Sequence, residues 1–180
     1  MGQLNFAKNF NLTPSAAFNA TNYSVYYFPF QIYESISLDY FNFMAQYVAG
    51  GNLHTQTVSV GLYSLNVSTL TLVNSCSISR AFGLGDTVIV YESASSFSST
   101  QNITPGLWFL GFLGSRQAGV TAGYNLIGGS TVNPANAFPG AFIGGRRTNS
   151  TTALPTAEST SNLDITGSDA IFSPQIIISA

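Results

Sequence analysis

Glu34-Ser35-Ile36-Ser37-Leu38-Asp39-Tyr40 alternates strictly between small or polar side chains and large apolar ones. Successive side chains of a β-strand point to opposite faces. This period of two therefore puts Ile36, Leu38 and Tyr40 on one face and Ser35, Ser37 and Asp39 on the other. The stretch predicts a half-buried strand. Phe41 and Phe43 have the opposite parity, so a bulge or bend is expected near Tyr40 to Asn42. Phe41 to Val48 has room for one short helical turn.

The same pattern recurs outward from this strand. Thr57-Val58-Ser59-Val60-Gly61-Leu62 alternates, and Tyr63 and Leu65 follow. After Asn66-Val67-Ser68, the run Thr69-Leu70-Thr71-Leu72 opens a strand that Cys76 and Ile78 continue. Two alternating runs joined by a few polar residues predict a hairpin. Gly83-Leu84-Gly85-Asp86 breaks the pattern, and Val88-Ile89-Val90-Tyr91 resumes it with strong β-formers. Ser93 to Gln101 is a polar Ser/Thr stretch around Phe97. Thr104-Pro105-Gly106 places Pro and Gly as a type II turn requires. Leu107 to Leu113 (LWFLGFL) is the most apolar run in the chain, which predicts a central strand buried on both faces. Residues 114 to 160 are rich in Gly, Pro and Asn and predict long loops with short strands. Phe138, Phe142 and Ile143 are expected to pack one of these loops onto the body. Phe172 to Ala180 predicts a final strand whose Pro174 suits an edge or first position.

Ala, Leu, Glu and Lys never cluster at helical spacing. Strands punctuated by Gly/Pro turns predict an all-β chain, an antiparallel jelly-roll-like β-sandwich of about eight strands, with a barrel as the alternative. Residues 1 to 22 are polar and Asn-rich and form an expected N-terminal arm. Residues 23 to 180 form the sandwich domain, with its Gly/Pro-rich loop region near 114 to 160.

Composition narrows the function. Charged residues make up 7% of the 180 residues, against roughly 25% in a typical soluble domain. Five Lys+Arg and seven Asp+Glu give a formal net charge of -2. Neither nucleic acid nor an anionic membrane surface is an expected partner, because both are held by many cations on one face. No run approaches the length of a membrane span, and Met1 to Phe6 lacks the basic flank and apolar stretch of a signal peptide. A surface of neutral Ser, Thr, Asn and Gly offers little colloidal repulsion. It suits a fixed part of an assembly, or alternatively a secreted, glycan-facing protein. Six Asn-x-Ser/Thr triplets begin at Asn11, Asn19, Asn22, Asn66, Asn102 and Asn149. They read as composition rather than as glycan acceptors.

The order of segments resembles the jelly-roll or β-sandwich heads of bacteriophage virion proteins, found in tail fibres, tail spikes and capsid decorations. Tyr27-Phe28-Pro29-Phe30 leads into the alternating strand at Ile36. Gly61-Leu62-Tyr63 forms the core of a following strand. Pro105-Gly106 turns into the Trp-bearing strand Leu107-Trp108, and the chain closes on the Pro-led strand Pro174 to Ile178. The resemblance covers about residues 25 to 114 and the last eight or so. It implies a non-enzymatic structural protein located in the virion, a capsid decoration or cement or a tail accessory protein. Its expected partners are capsid or tail proteins and further copies of itself, a trimer favoured. The alternative it implies is a carbohydrate-binding, receptor-recognition module of a tail fibre, with a host glycan as ligand.

No chemical signature competes with that reading. Cys76 is the only cysteine and His54 the only histidine. Neither a disulfide nor a cysteine-based zinc site can be built, and Cys76 is expected to be a small buried thiol. Glu34 and Asp39 differ in parity, Asp86 follows Gly85 in a turn, and none of these or Glu92 forms an evident glycosidase pair. Asp164 and Asp169 lack the dense oxygen-ligand spacing of calcium loops. No Gly-x-Ser-x-Gly turn presents a nucleophile. We therefore expect no catalytic, metal or cofactor site. The expected partner contacts are the arm phenylalanines Phe6, Phe10 and Phe18, the tyrosines Tyr26 and Tyr27, and the pair Arg146 and Arg147. The two arginines are the only charge cluster. They suit a carboxylate, phosphate or acidic sugar, or a subunit contact with an acid such as Glu158. Trp108 could stack on a sugar but lies in an apolar run that favours the core.

The charge deficit yields a first test. Few ion pairs are available to any interface, so apolar burial and neutral hydrogen bonds must carry it, and these respond weakly to screening. Light scattering should find the same oligomer at low salt and at about 1 M sodium chloride, where the screening length falls to about 3 Å. Dissociation to monomers as salt rises would place the interface on the arginines instead.

Overall fold

The computed structural model describes residues 4–5, 13–18, 24–48, 53–84, 88–116, 123–130, 145–147, 153–163, 172–174 and 176–179. These residues are almost entirely strand. In chain order the strands are β1 (Leu4–Asn5), β2 (Thr13–Phe18), β3 (Val25–Ile32), β4 (Ile36–Val48), β5 (His54–Asn66), β6 (Thr69–Phe82), β7 (Val88–Ile103), β8 (Gly106–Arg116), β9 (Gly123–Ser130), β10 (Gly145–Arg147), β11 (Ala157–Ser159), β12 (Phe172–Pro174) and β13 (Ile176–Ser179). One 3-10 turn, Thr160–Asn162, is the only helical element among the described residues. The chain is all-β, and every pairing among the described residues is antiparallel.

The strands form two sheets. The first follows the order β1-β13-β4-β9-β12, with β7 also along β4 and β2 also along β9. The second follows the order β10-β3-β8-β5-β6-β11. Several expectations shift against this frame. Parts of the expected arm lie in the first sheet: β1 pairs with β13, and β2 pairs with β9, Phe18 opposite Tyr124. Phe41 to Val48 is not helical but the second half of β4. The polar stretch Ser93 to Gln101 belongs to β7, which pairs with β4 along nearly its whole length. The irregularity expected near Tyr40 to Asn42 falls between Leu38 and Tyr40. There β7 carries the extra residues, because Gln101 faces Leu38 while Ser96 faces Tyr40. His54 is the first residue of β5 rather than a loop residue. Pro174 closes β12, at one end of the first sheet's path. Phe138, Phe142 and Ile143 lie outside the described residues.

β8 is the centre. Its alternating side chains go to two different cores, as its unbroken apolar run predicts. Leu110 and Phe112 join Tyr26, Phe28 and Ile32 of β3 and Val58, Val60 and Leu62 of β5. Leu38, Phe97 and Ile103 of the first sheet complete this inner cluster, so the two sheets meet there. Phe109 and Leu113 point the other way, with Val25, Tyr27, Tyr63, Leu70 and Leu163. The second sheet is thus apolar on both faces.

β6 changes allegiance midway. Tyr63 faces Leu72 and Leu62 faces Asn74, so Val73 is an extra residue with no opposite number on β5. A bulge of this kind resets which side chains point where. Leu70 and Leu72 pack on the outer cluster, whereas Cys76, Ile78 and Phe82 pack on the inner one.

Two glycines make the outer core possible. Gly61 and Gly111 face each other across β5 and β8. The Tyr63 ring lies over both: a Cβ built on either glycine would stand 2.7 Å from Tyr63 Cε2. The ring meets Tyr27 edge-on, with centroids 5.2 Å apart. At the head of β8, Gly106 has φ +149°, a conformation L side chains rarely adopt. Gly111→Ala forces a methyl between Tyr63 and Tyr27 on a strand that cannot withdraw. Urea unfolding should show a loss of about 1–3 kcal/mol, the range of an overpacked core. An unchanged midpoint would mean that the ring moves freely.

Candidate contact surface

The outer face of the second sheet is closed by a strap, residues 153–163. β11 within it adds to the edge of β6, Ala157 opposite Thr71 and Ser159 opposite Thr69. Leu72 N–H donates to Thr156 O at 3.0 Å, and Thr160 N–H donates to Ser68 O at 2.8 Å. Thr160 Oγ1 donates to the same carbonyl at 3.2 Å. These bonds fasten the strap to the β5–β6 turn, where Val67 holds the unusual φ of 56°. A β-branched residue is strained there, and its side chain is 94% exposed. Leu154 and Leu163 lay their side chains on the outer cluster. Tyr63 Oη donates to Pro155 O at 3.0 Å. The strap's one carboxylate, Glu158, is buried and accepts from Asn162 Nδ2 at 3.0 Å.

Beyond the strap the same face is a field of hydroxyls. Thr57 and Ser79 meet at 2.8 Å, and Ser59 and Ser77 meet at 2.9 Å. The Ser residues on β6 are exposed while Thr57 and Ser59 are half-buried. On the first sheet, Ser37 donates to Asn102 Oδ1 at 3.0 Å, and Thr100 donates to the exposed Asp39 at 2.5 Å. Among the described residues the exposed large apolar side chains are Tyr33, Leu53, Val67, Val73 and Leu84.

The expected contact residues fall into three groups. Tyr26 and Tyr27 are buried within the chain, 4% and 0% exposed. They serve opposite cores, so their string of aromatics resolves into an alternating strand rather than a free patch. Arg146 and Arg147 lie in β10, at the edge of the second sheet, opposite Tyr26 and Val25. Glu158 sits in β11 at the other edge of that sheet. Within one chain it cannot pair with them. Phe18 is in β2, and Phe6 and Phe10 lie outside the described residues. Trp108 is half-buried against the inner cluster, with Nε1 donating to Thr104 O at 3.0 Å. Cys76 is half-buried, and its Sγ donates to Val60 O at 3.8 Å.

Two features had no clear signal in the sequence. One is the strap, which reads as loop because Leu154 and Leu163 are its only large apolar residues. The other is a cross-strand row, Arg80, Gln56 and Arg116, in which two of the chain's five basic residues stand opposite one buried amide. Among the described residues no group of three or more His, Cys, Asp or Glu could hold a metal ion. Comparison with protein-family models, with curated proteins and with solved structures finds no match for the chain.

The Tyr63 hydroxyl links the strap to pH. Burial holds its pKa well above the ordinary tyrosine value. The neighbouring Tyr27 hydroxyl opposes the rise, and the Glu158 charge adds to it. A raised folded-state pKa favours the protonated hydroxyl in the native state. Its contribution is present in full below about pH 10, the value for an unfolded tyrosine, and is lost as pH climbs from there towards the folded value. Tyr63→Phe should cost about 0.5–1.5 kcal/mol at neutral pH and flatten the alkaline fall in stability relative to the unsubstituted chain. Chemical unfolding of both chains between neutral and strongly alkaline pH measures this. Parallel profiles would remove Tyr63 from the account.

Proposed function

We propose that the chain is a non-enzymatic structural protein of a virus particle, a capsid decoration or cement or a tail accessory protein of a phage. The observation that carries this reading is the pairing of a doubly buried sheet with an exterior almost free of charge. The domain can hold itself together through its apolar clusters. What it presents outward is neutral hydroxyl and amide, suited to fixed neighbours and poorly suited to solitary life in solution.

The finer fold belongs to the same proposal. The eight longer strands divide four and four, β2-β9-β4-β7 and β3-β8-β5-β6. The chain changes sheet at most of its connections. We read this as an eight-stranded jelly-roll-like sandwich, with β1 and β10 to β13 as short additions, β13 along β4 and β10 and β11 on the edges of the second sheet. Arg146 and Arg147, on one such edge, are the proposed charged contact with capsid or tail proteins or with another copy.

The test is recovery. In purified particles of the virus that encodes it, the chain should appear at a fixed stoichiometry that survives repeated banding. Loss during purification, together with selective binding of the isolated protein on a glycan array, would replace this reading with a receptor-recognition module.

A further inference from the structure

The edge of β6 is occupied over only part of its length. β11 pairs with Thr69 to Thr71, and its reach ends at the Val73 bulge. From Asn74 to Phe82 no strand among the described residues pairs with the outer edge of β6. Such a row of backbone donors and acceptors is a template for strand addition. β11 shows that this edge accepts an added antiparallel strand. The usual protection is weak here, since this stretch carries one charge, Arg80, and the chain's only lysine is Lys8.

The hydroxyl pairs indicate which residues face outward. In an antiparallel ladder, side chains approach most closely in the pairs that do not exchange backbone hydrogen bonds. Ser77 meets Ser59, and Ser79 meets Thr57, hydroxyl to hydroxyl. Residues in such pairs turn their N–H and C=O away from β5. Ser75 shares their parity.

We propose that β6 pairs edge to edge with β6 of a second copy, antiparallel about a two-fold axis at Ser77. Ser77 then faces its own copy and Ser75 faces Ser79. In the single chain Ser75 N–H donates to Asn74 Oδ1 at 2.7 Å; pairing replaces that local bond with one to Ser79 O of the second copy, so that each of these pairs exchanges both backbone hydrogen bonds. The remaining rows are compatible as well: Cys76 lies opposite Ile78, and Arg80 opposite Asn74 rather than opposite another Arg80. The two second sheets become one continuous sheet. This contact does not depend on a place in a virus particle, because the isolated chain should form it.

Cross-linking and charge placement test the register. In a Cys76→Ala background, Ser77→Cys should oxidise to a covalent dimer, since facing residues of such a pair lie about 5.5 Å apart, within disulfide range. Ser75→Cys and Ser79→Cys taken singly should not, because each is displaced from its own copy by four residues. Analytical ultracentrifugation supplies the second measurement. Ser75→Lys/Ser79→Lys sets like charges against each other and should weaken the dimer at least tenfold. Ser75→Lys/Ser79→Glu sets opposite charges together and should keep it. All these side chains are exposed on β6, so the fold is expected to tolerate them, and circular dichroism checks that it does. Absence of a dimer in the unsubstituted chain, equal cross-linking at all three positions, or equal behaviour of the two charged variants would overturn the proposal.

Discussion

The double burial of β8 is the constraint on which the rest of the structure depends. A strand that is apolar on both sides needs two covers. The first sheet supplies one, through Leu38, Phe97 and Ile103. The strap supplies the other, through Leu154 and Leu163. Neither cover could be exchanged for water, because both faces of the strand carry fully buried aromatic residues, Phe109 on one and Phe112 on the other. The glycine pair Gly61 and Gly111 follows from the same constraint. A large ring can lie flat on a sheet only where the strands beneath it lack side chains, and the outer core is built around one such ring.

Much of this was legible in the sequence, because alternation reports which strands have one wet face. The strands at Ile36, Thr57, Thr69 and Val88 lie where the period of two places them, and the apolar run Leu107 to Leu113 sits in the interior of its sheet. What stayed hidden involves pairing. Leu70, Leu72, Cys76, Ile78 and Phe82 are all even-numbered, so the pattern of β6 looks like one continuous apolar face. The bulge at Val73 splits that face between two cores, and nothing in the residues themselves announces it. Ser93 to Gln101 reads only as a polar Ser/Thr stretch, because serines are weak strand formers and the pairing with β4 that makes it a strand is not written in its own residues. Glu158 reads as a surface charge because its burial comes from a segment folding back across the sheet. The contact residues follow the same rule. Tyr26 and Tyr27 were visible as aromatic, but whether they face a partner or a core depends on having apolar neighbours on both sides.

The shortage of charge has a structural counterpart in how the surface is satisfied. On a typical domain, exposed strand positions hold Lys, Glu and Arg, which remain in water. Here serine and threonine bond to one another across strands, as Thr57 does with Ser79 and Ser59 with Ser77. A hydroxyl that is both donor and acceptor can satisfy its neighbour without a counter-ion. Such a surface is smooth, short and electrically quiet. It can approach another surface of the same kind without the desolvation penalty that charged groups would impose.

The bulge also ties stability to surface character. On one side of Val73, β6 lays its leucines under the strap and gives its edge to β11. On the other side, it sends its larger side chains inward and its serines outward. Because side chains alternate, one residue removed between Leu72 and Asn74 would turn every later position to the wrong face. Cys76, Ile78 and Phe82 would enter the hydroxyl field, and Ser75, Ser77 and Ser79 would enter the inner core. The same single extra residue therefore completes the inner core and keeps the outer face polar, and the second sheet could not do both with a regular β6.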